Sequence, residues 1–577
     1  MTTQRSFFHR FRWQLLLAVV AAMAVAFLLW GQRSPAPSAG GSMATPEPKR
    51  GGVYTEALIG AISRLNPVLD YGNQPDRDVD RLLYCRLVQF DALGIPQASL
   101  AESWGVSQDG ATYNFALRHD AKWHDGQPVT ADDVLFTIAL LRSDALPLPP
   151  DLRALWQAVK VKKFDDYTIQ MQLPEAFAPF LDYLTFGVLP KHRWADIPPE
   201  QIANAPQNLK PIGCGPYRFE RLVVEDGKIR GVALRAFEDY FGGRPYIDRV
   251  VFRYYDSPRA ALQAYQDGEV LGLQQITEDI LPKALAEPSL DFYTTRLPRM
   301  TLIYLNLGNP EVGFLQDKAV RRALYLGLNR QWMIDHILHG QALPATGPIF
   351  PGTWAYYPKL QPVPYDAEKA IALLKEEKYL VRGEKSNVRE KDGQPLAFTM
   401  VYPDDEVHAA LAEAIQHDWA ALGVKVDLKA VPFEKLLSDY LEPRTYQAAL
   451  VDLDLSRSPD PDPYPFWHQT QTTNGQNYSM WDNRRASEYL EKARITPDLT
   501  RRQKLYYNFQ VLFEKELPAL PLFYPLYTYA VDAQVGGIRL GPVFDLSDRF
   551  RNVRRWFLVA QQQRGAPQPS PQPSGTP

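Results

Sequence analysis

The run VHAALAEAIQHDWAALGVKVDLKAV, Val407 to Val431, constrains the fold more than any other stretch. As far as Gly423 it has the apolar spacing of an amphipathic helix, and Gly423 is a good helix stop. VKVDLKAV then alternates apolar and polar side chains, the period of a strand. A chain that turns from helix into strand in this way builds neither a helical bundle nor a sandwich. The same two signals recur elsewhere. YNFALR (Tyr113–Arg118), YTIQMQL (Tyr167–Leu173), VVFRYY (Val250–Tyr255) and LAFTMVY (Leu396–Tyr402) read as strands. AVRRALYLGLNRQWMIDHIL (Ala319–Leu338) and RRQKLYYNFQVLFEKEL (Arg501–Leu517) read as helices. The pattern predicts an α/β protein with a mixed sheet and no internal repeat.

With 577 residues, the chain is too long for one core, and two or three domains are expected. The N-terminus sets where they fold. RSFFHRFR is basic and precedes Trp13–Trp30, eighteen residues without a charge. At about 1.5 Å per residue that run spans roughly 27 Å, close to a bilayer's hydrocarbon thickness. Arg5, Arg10 and Arg12 hold the end before it inside, so everything after Trp30 is exported. The length of the run favours an uncleaved anchor; Ala36-Pro-Ser-Ala39 offers the alternative of a cleaved signal peptide. Residues 1–12 are then a cytoplasmic basic segment, 13–30 the anchor or signal, and 31–50 a Pro/Gly/Ser linker. Residues 561–577 are a tail whose composition predicts disorder.

Beyond residue 50 there are 57 Lys/Arg against 65 Asp/Glu, with no basic patch, so nucleic acid is not expected as a partner. Cys85 and Cys214 form no CxxC, which argues against structural zinc. They are expected to be two separate buried cysteines rather than a bridge.

WHDGQPVTADDV, Trp123–Val134, holds a histidine, three carboxylates and a threonine, the raw material of an acid/base or metal site. A structural reading accounts for most of them. Asp125-Gly126 is a turn dipeptide, and Thr130 with Asp133 resembles a capping box opening a helix. Asp132 and Asp133 suit the positive end of its dipole. Only His124 is left without a structural task.

The segment from Leu82 to Thr137, containing this stretch, resembles the bacterial extracellular solute-binding proteins of family 5, the oligopeptide-, dipeptide- and nickel-binding receptors of ABC importers. The resemblance runs on through VLPKH at Val188, PIGCGPYRF at Pro211, YFGGRPYIDRVVFRYY at Tyr240, DKAVRRALYLGLNR at Asp317 and PDPDPYPFWH at Pro459. It implies a periplasmic-binding-protein-like fold of two lobes around a hinge, with an extra small domain. Lobe I is expected from 51–90, 219–300 and 526–560, the small domain from 91–218 and lobe II from 301–525.

The resemblance also points to a cleft. Peptide-binding relatives carry an aspartate about four residues before the proline of the DPD turn, where it holds the ligand's α-amino group. Here that position is Arg457, with Asp452 and Asp454 close by on a predicted strand. Residues 452 and 454 share a face, so both carboxylates are expected to look into the cleft. Tyr71 and Gln275 fall on cleft-lining positions by similarity. An acid pair with an arginine suits a mixed-charge ligand such as a peptide. Metal readings are weaker. His336 and His339 have helical spacing but no third ligand, Asp460 and Asp462 sit in a stiff Pro-rich turn, and GCG at Gly213 is only a fragment of a nucleotide-binding turn. No HExxH, GxSxG or P-loop occurs.

The expected protein is a monomeric, exported receptor without cofactor or metal. It takes a peptide or peptide-like solute, delivers it to an ABC permease, and is tethered to the membrane by its N-terminal segment. A signalling or chaperone-like binder of the same fold is the alternative, and an exported hydrolase is the more distant one.

Overall fold

A computed structural model describes residues 48–382 and 387–559. The expected anchor and the C-terminal tail lie outside the described residues; no described helix is long and apolar enough to cross a membrane. From Arg50 onward the chain is one unit.

The chain enters through strand β1 (Val53–Ile59), whose Tyr54, Ala57 and Leu58 are fully buried, and continues into helix α1 (Gln74–Leu83). Next come four strands, β2 (Ala101–Val106), β3 (Thr112–Leu117), β4 (Lys160–Asp165) and β5 (Thr168–Gln172). They form an antiparallel sheet in the order β2-β3-β5-β4, and helix α2 (Ala131–Leu141) falls between β3 and β4 in the chain. Tyr113, Phe115 and Leu117 face inward from β3, the alternation its sequence predicts.

The chain then returns through β6 (Tyr217–Glu225), β7 (Lys228–Ala236) and β8 (Arg249–Tyr255). The two-residue β9 (Gly272–Leu273) and β10 (Leu290–Arg296) follow. Beyond Leu297-Pro298, β11 (Arg299–Leu305) opens a second half. Helices α3 (Lys318–Leu326) and α4 (Arg330–His336), strand β12 (Ala342–Pro344), strand β13 (Ala397–Pro403), helix α5 (Glu406–Ala421), strand β14 (Lys425–Val431) and strand β15 (Ala448–Asp454) build it. Helices α6 (Arg484–Ile495) and α7 (Leu499–Glu516) lead to the fourteen-residue β16 (Ala519–Asp532).

Strand β16 ties the halves together. Its first residues pair with β11 (Tyr304 with Ala519), and its later ones with β10 (Arg296 with Leu526). The resulting mixed sheet runs β14-β13-β15-β11-β16-β9-β1-β8-β7-β6, with β10 and β12 also on β16. Parallel pairs are β1 with β8 and β9, and β13 with β14 and β15; the rest are antiparallel. This is the mixed α/β architecture the alternating signals predict. Helix α5 ends where Gly423 takes a left-handed φ of +83°, which costs glycine nothing.

Two expectations need correction. The single helix expected over Ala319–Leu338 is two, α3 and α4. The side chain of Asn329 accepts the Trp332 N–H at 3.1 Å and so starts a new helix rather than continuing the old one. His336 therefore ends α4, while His339 lies beyond it at a φ of +47°, and their helical spacing is lost. Secondly, Cys85 and Cys214 are bonded, with Cα atoms 5.2 Å apart. The approach is forced by backbone. A Cβ on Gly213 would lie 1.9 Å from the Leu83 carbonyl oxygen, and one on Gly215 2.3 Å from that of Leu82. The GCG triplet is thus a close-packing device beside the end of α1.

Candidate ligand-binding cleft

In WHDGQPVTADDV every polar group of the proposed site has a structural partner. The Gly213 N–H donates to Nδ1 of His124 at 3.1 Å, which leaves Nε2 protonated to donate to the Gly215 carbonyl at 3.1 Å. Burial pushes this imidazole down to about 4, so it is neutral at physiological pH. His124, without a task in the sequence reading, clamps the disulfide-bearing GCG segment. Asp125 pairs with His192 at 2.8 Å. Asp133 is the hub: it accepts the N–H groups of Thr130 at 2.9 Å and Lys191 at 2.8 Å, and the Trp123 indole at 3.3 Å. The Thr130 hydroxyl sits 3.5 Å from the same carboxylate. Asp133 thus carries the cap more than Thr130 does. Asp132 pairs with Lys163 at 3.2 Å on the surface.

The large cavity lies elsewhere. It measures about 650 Å³ and is walled by the segment around α1, by residues 141–187, by the turn after β15 and by residues 544–548. Tyr71, Asp454 and Arg457 stand on its wall; Asp452 and Gln275 do not. The Arg457 guanidinium lies 3.4 Å from the centroid of the Tyr71 ring, a cation–π contact from one wall to another. Arg457 holds a left-handed φ of +65°, and its N–H donates to the Phe544 carbonyl at 2.6 Å. For a residue with a Cβ that conformation costs about 1–2 kcal/mol, and it aims the guanidinium at the cavity.

Asp452 and Asp454 share a face, as the period of two requires, and the adjacent β11 sets Arg299 opposite them. Asp454 lies 3.2 Å from Arg299 and Asp452 3.9 Å from it. Asp452 also accepts the Thr301 hydroxyl at 2.6 Å and lies 3.8 Å from His408. Burial opposes its charge, but His408 and Thr301 outweigh burial and hold its pKa below the usual range. His408 in turn is raised: burial works against its charge, and Asp452 and Asp405 overcome it. At Gln275 the neighbour is the engaged residue. Gln274 accepts the Ile59 N–H at 2.8 Å and donates to Asp78 at 2.9 Å.

The acids of the PDPDP turn are both taken by arginines. Arg502 grips buried Asp460 through two contacts at 2.5 and 2.8 Å, and Arg494 reaches Asp462 at 3.0 Å. The sequence reading missed the wall formed by Asp70, Arg77, Asp80, Arg86 and Asp182. One signal for part of it was present. Asp76, Asp78 and Asp80 alternate in QPDRDVDRLL, more acid than the first helix of a core needs.

The family model for bacterial extracellular solute-binding proteins, family 5, matches residues 96–477. The chain belongs to this family. It is a solute-binding receptor of the two-lobe fold. The receptor is 26% identical to the oligopeptide-binding protein AppA of Bacillus subtilis over 569 residues, 94% of this chain and 98% of that one. It is 29% identical to the dipeptide-binding protein of Escherichia coli over 481 residues, 80% and 87% of the two. The solved structure of B. subtilis AppA in complex with a nonapeptide superposes with a TM-score of 0.63, covering 89% of this chain and all of that one. The ABC transporter substrate-binding protein CtaP of Listeria monocytogenes, 27% identical, gives a TM-score of 0.71 over 88% of this chain and all of CtaP.

Proposed function

We propose that this receptor captures a peptide or peptide-like solute between its lobes outside the cytoplasm and delivers it to the permease of an ABC importer. The observation that carries the reading is the 650 Å³ cavity, whose walls come from the segment around α1, residues 141–187, the stretch after β15 and residues 544–548, and bear charges of both signs. Such a volume is that of small-ligand sites in general, and the peptide-binding relatives supply the ligand class. Lobe I is assigned to 51–90, 219–300 and 526–560, the small domain to 91–218 and lobe II to 301–525. The crossings at Leu297-Pro298 and in β16 near Pro525, where that strand changes partner from β11 to β10, support a hinge there. Arg457 is the contact for the ligand's carboxylate and Asp454 for its amine, with Tyr71 stacking alongside. Asp452 acts behind Asp454 by sharing Arg299, and Gln275 borders the site from outside its wall. The receptor works as a monomer, tethered by the segment Trp13–Trp30.

Native mass spectrometry of the purified receptor identifies what co-purifies, and calorimetry with that ligand tests the contacts. A hydrogen bond to a charged group is worth about 1.5–3 kcal/mol, so Arg457→Ala and Asp454→Ala each weaken affinity about 10- to 150-fold. Acetylating the ligand's amine mimics the Asp454 loss, and amidating its carboxyl mimics the Arg457 loss. If neither variant nor either cap moves affinity by threefold, the contacts are wrongly placed.

A further inference from the structure

Three aspartates of α1 differ in what the protein gives them. Asp76 accepts the Ser63 N–H and hydroxyl, each at 2.8 Å, and Asp78 accepts from Arg549 and Gln274. Asp80 is left with far less: it is 4% exposed, it stands on the cavity wall, neither of its carboxylate oxygens makes a hydrogen bond of normal geometry, and only the Asn66 N–H and Arg86 lie near enough to favour its charge. Asp70 stands on the same wall, and its carboxylate carries no hydrogen bond or ion pair among the described residues. All but one of the nearby cations are engaged elsewhere. Arg77 pairs with Asp545 at 3.0 Å, while Arg81 and Arg551 hold Asp548 at 3.4 and 3.1 Å. Arg457 is stacked on Tyr71, which leaves Arg86 facing three carboxyl groups, those of Asp70, Asp80 and Asp548. A buried carboxyl without a partner is costly, and on the wall of a ligand cavity the missing partner is one a ligand can bring.

Resting on the peptide reading of the cleft, we propose that Asp70 and Asp80 form a subsite for a basic side chain of the bound solute. An alkylammonium or guanidinium lodges there, so the receptor prefers peptides carrying lysine or arginine to neutral ones of the same shape. Asp70 is the direct contact, and Asp80 supplies the second negative charge behind it.

The electrostatics of the empty site agree. Asp70 faces Arg77, Arg86, Arg457 and Asp545; burial outweighs the arginines and pushes it up to about 7. Asp80 faces Asp70, Asp76 and Arg86, with the hydroxyls of Tyr84 and Tyr254 nearby, and burial raises it well above its ordinary range. Both groups therefore hold a proton more readily than a free carboxyl does, and an arriving cation favours its release. Affinity for a basic peptide rises with pH through about 7, and affinity for a neutral one does not.

The test is calorimetry on the full-length chain in mild detergent. The probes are alanine di-, tri- and pentapeptides carrying lysine, or its uncharged analogue norleucine, at each position in turn. The expected result is a lysine preference of at least tenfold at one position, with proton release detected as a buffer-dependent enthalpy. Asp80→Asn and Asp70→Asn, both neutral and of unchanged size, reduce the preference to less than threefold. Equal affinity for the lysine and norleucine peptides overturns the subsite and leaves the peptide reading standing. So does a preference that survives both substitutions. If none of the peptides binds, both readings fall.

Discussion

Replacing Arg549 by alanine strands two carboxylates in the core. Arg549, Glu56 and Asp78 are all fully buried. The guanidinium reaches Glu56 Oε1 at 2.8 and 2.7 Å and the two Asp78 oxygens at 2.8 Å each. Tyr54 and Tyr529 donate to the other Glu56 oxygen at 2.6 and 2.8 Å. Even with Arg549 present, burial raises both acids above their usual values. Without it, each stays buried only by taking a proton. At pH 7 that costs about 1.4 kcal/mol for every pH unit above the unfolded pKa near 4, roughly 4 kcal/mol per acid. Relaxation and water entry reduce this ceiling, and the expected loss is about 3–5 kcal/mol, as for other broken buried ion pairs. In the variant the folded pKa values are raised, so their contribution is fully present below about pH 4 and is lost as pH rises toward those values. Urea unfolding of wild type and Arg549→Ala, followed by tryptophan fluorescence, should therefore show a deficit smaller at pH 5 than at pH 7 by at least about 2 kcal/mol. A deficit under about 1 kcal/mol at pH 7, or one equal at both pH values, refutes the reasoning. Combining Arg549→Met with Glu56→Gln and Asp78→Asn should recover most of the loss, because no charge then remains to be buried.

Asp133→Ala removes the acceptor of two backbone N–H groups and an indole and should cost about 2–4 kcal/mol in urea unfolding. Thr130→Ala should cost less than about 1 kcal/mol, and the reverse order would return the cap to the threonine. Cys85→Ser with Cys214→Ser opens a link across 129 residues of sequence and should cost about 2–5 kcal/mol, seen as a lowered Tm that reducing agent reproduces in the wild type. An unchanged Tm means the pair does not form. Carbonate washing of membranes should leave the full-length chain behind; a soluble product starting near Gly40 would establish cleavage instead.

Much of the scaffold was legible because its signals are local. YNFALR and LAFTMVY announce strands by alternation, and the Asp125-Gly126 turn with the Asp132-Asp133 helix start was readable within a dozen residues. The cleft was legible only in part. Arg457, Asp454 and Tyr71 line one cavity, but the sequence could not reveal that Arg299 already serves Asp452 and Asp454, since that depends on the register of β11 against β15. Gln274 rather than Gln275 carries the contacts because a one-residue step along an extended segment turns the side chain to the opposite face.

The sequence by itself determined the α/β class, through the two periodicities, and the family, through many motifs kept in order along the chain. Tertiary structure alone decided which distant groups meet. Cys85 finds Cys214 because the glycines beside the latter let its backbone press against the end of α1. Arg549 neutralises Glu56 and Asp78, some 470 or more residues away in sequence, while Asp80, two residues from Asp78, is left without an ion pair or a well-formed hydrogen bond. Period and propensity act over one or two turns of chain, whereas a buried charge answers to whatever the fold sets beside it. The same letter in QPDRDVDRLL is therefore a ligand of Ser63, half of a core ion pair or an unmet carboxyl on the cavity wall.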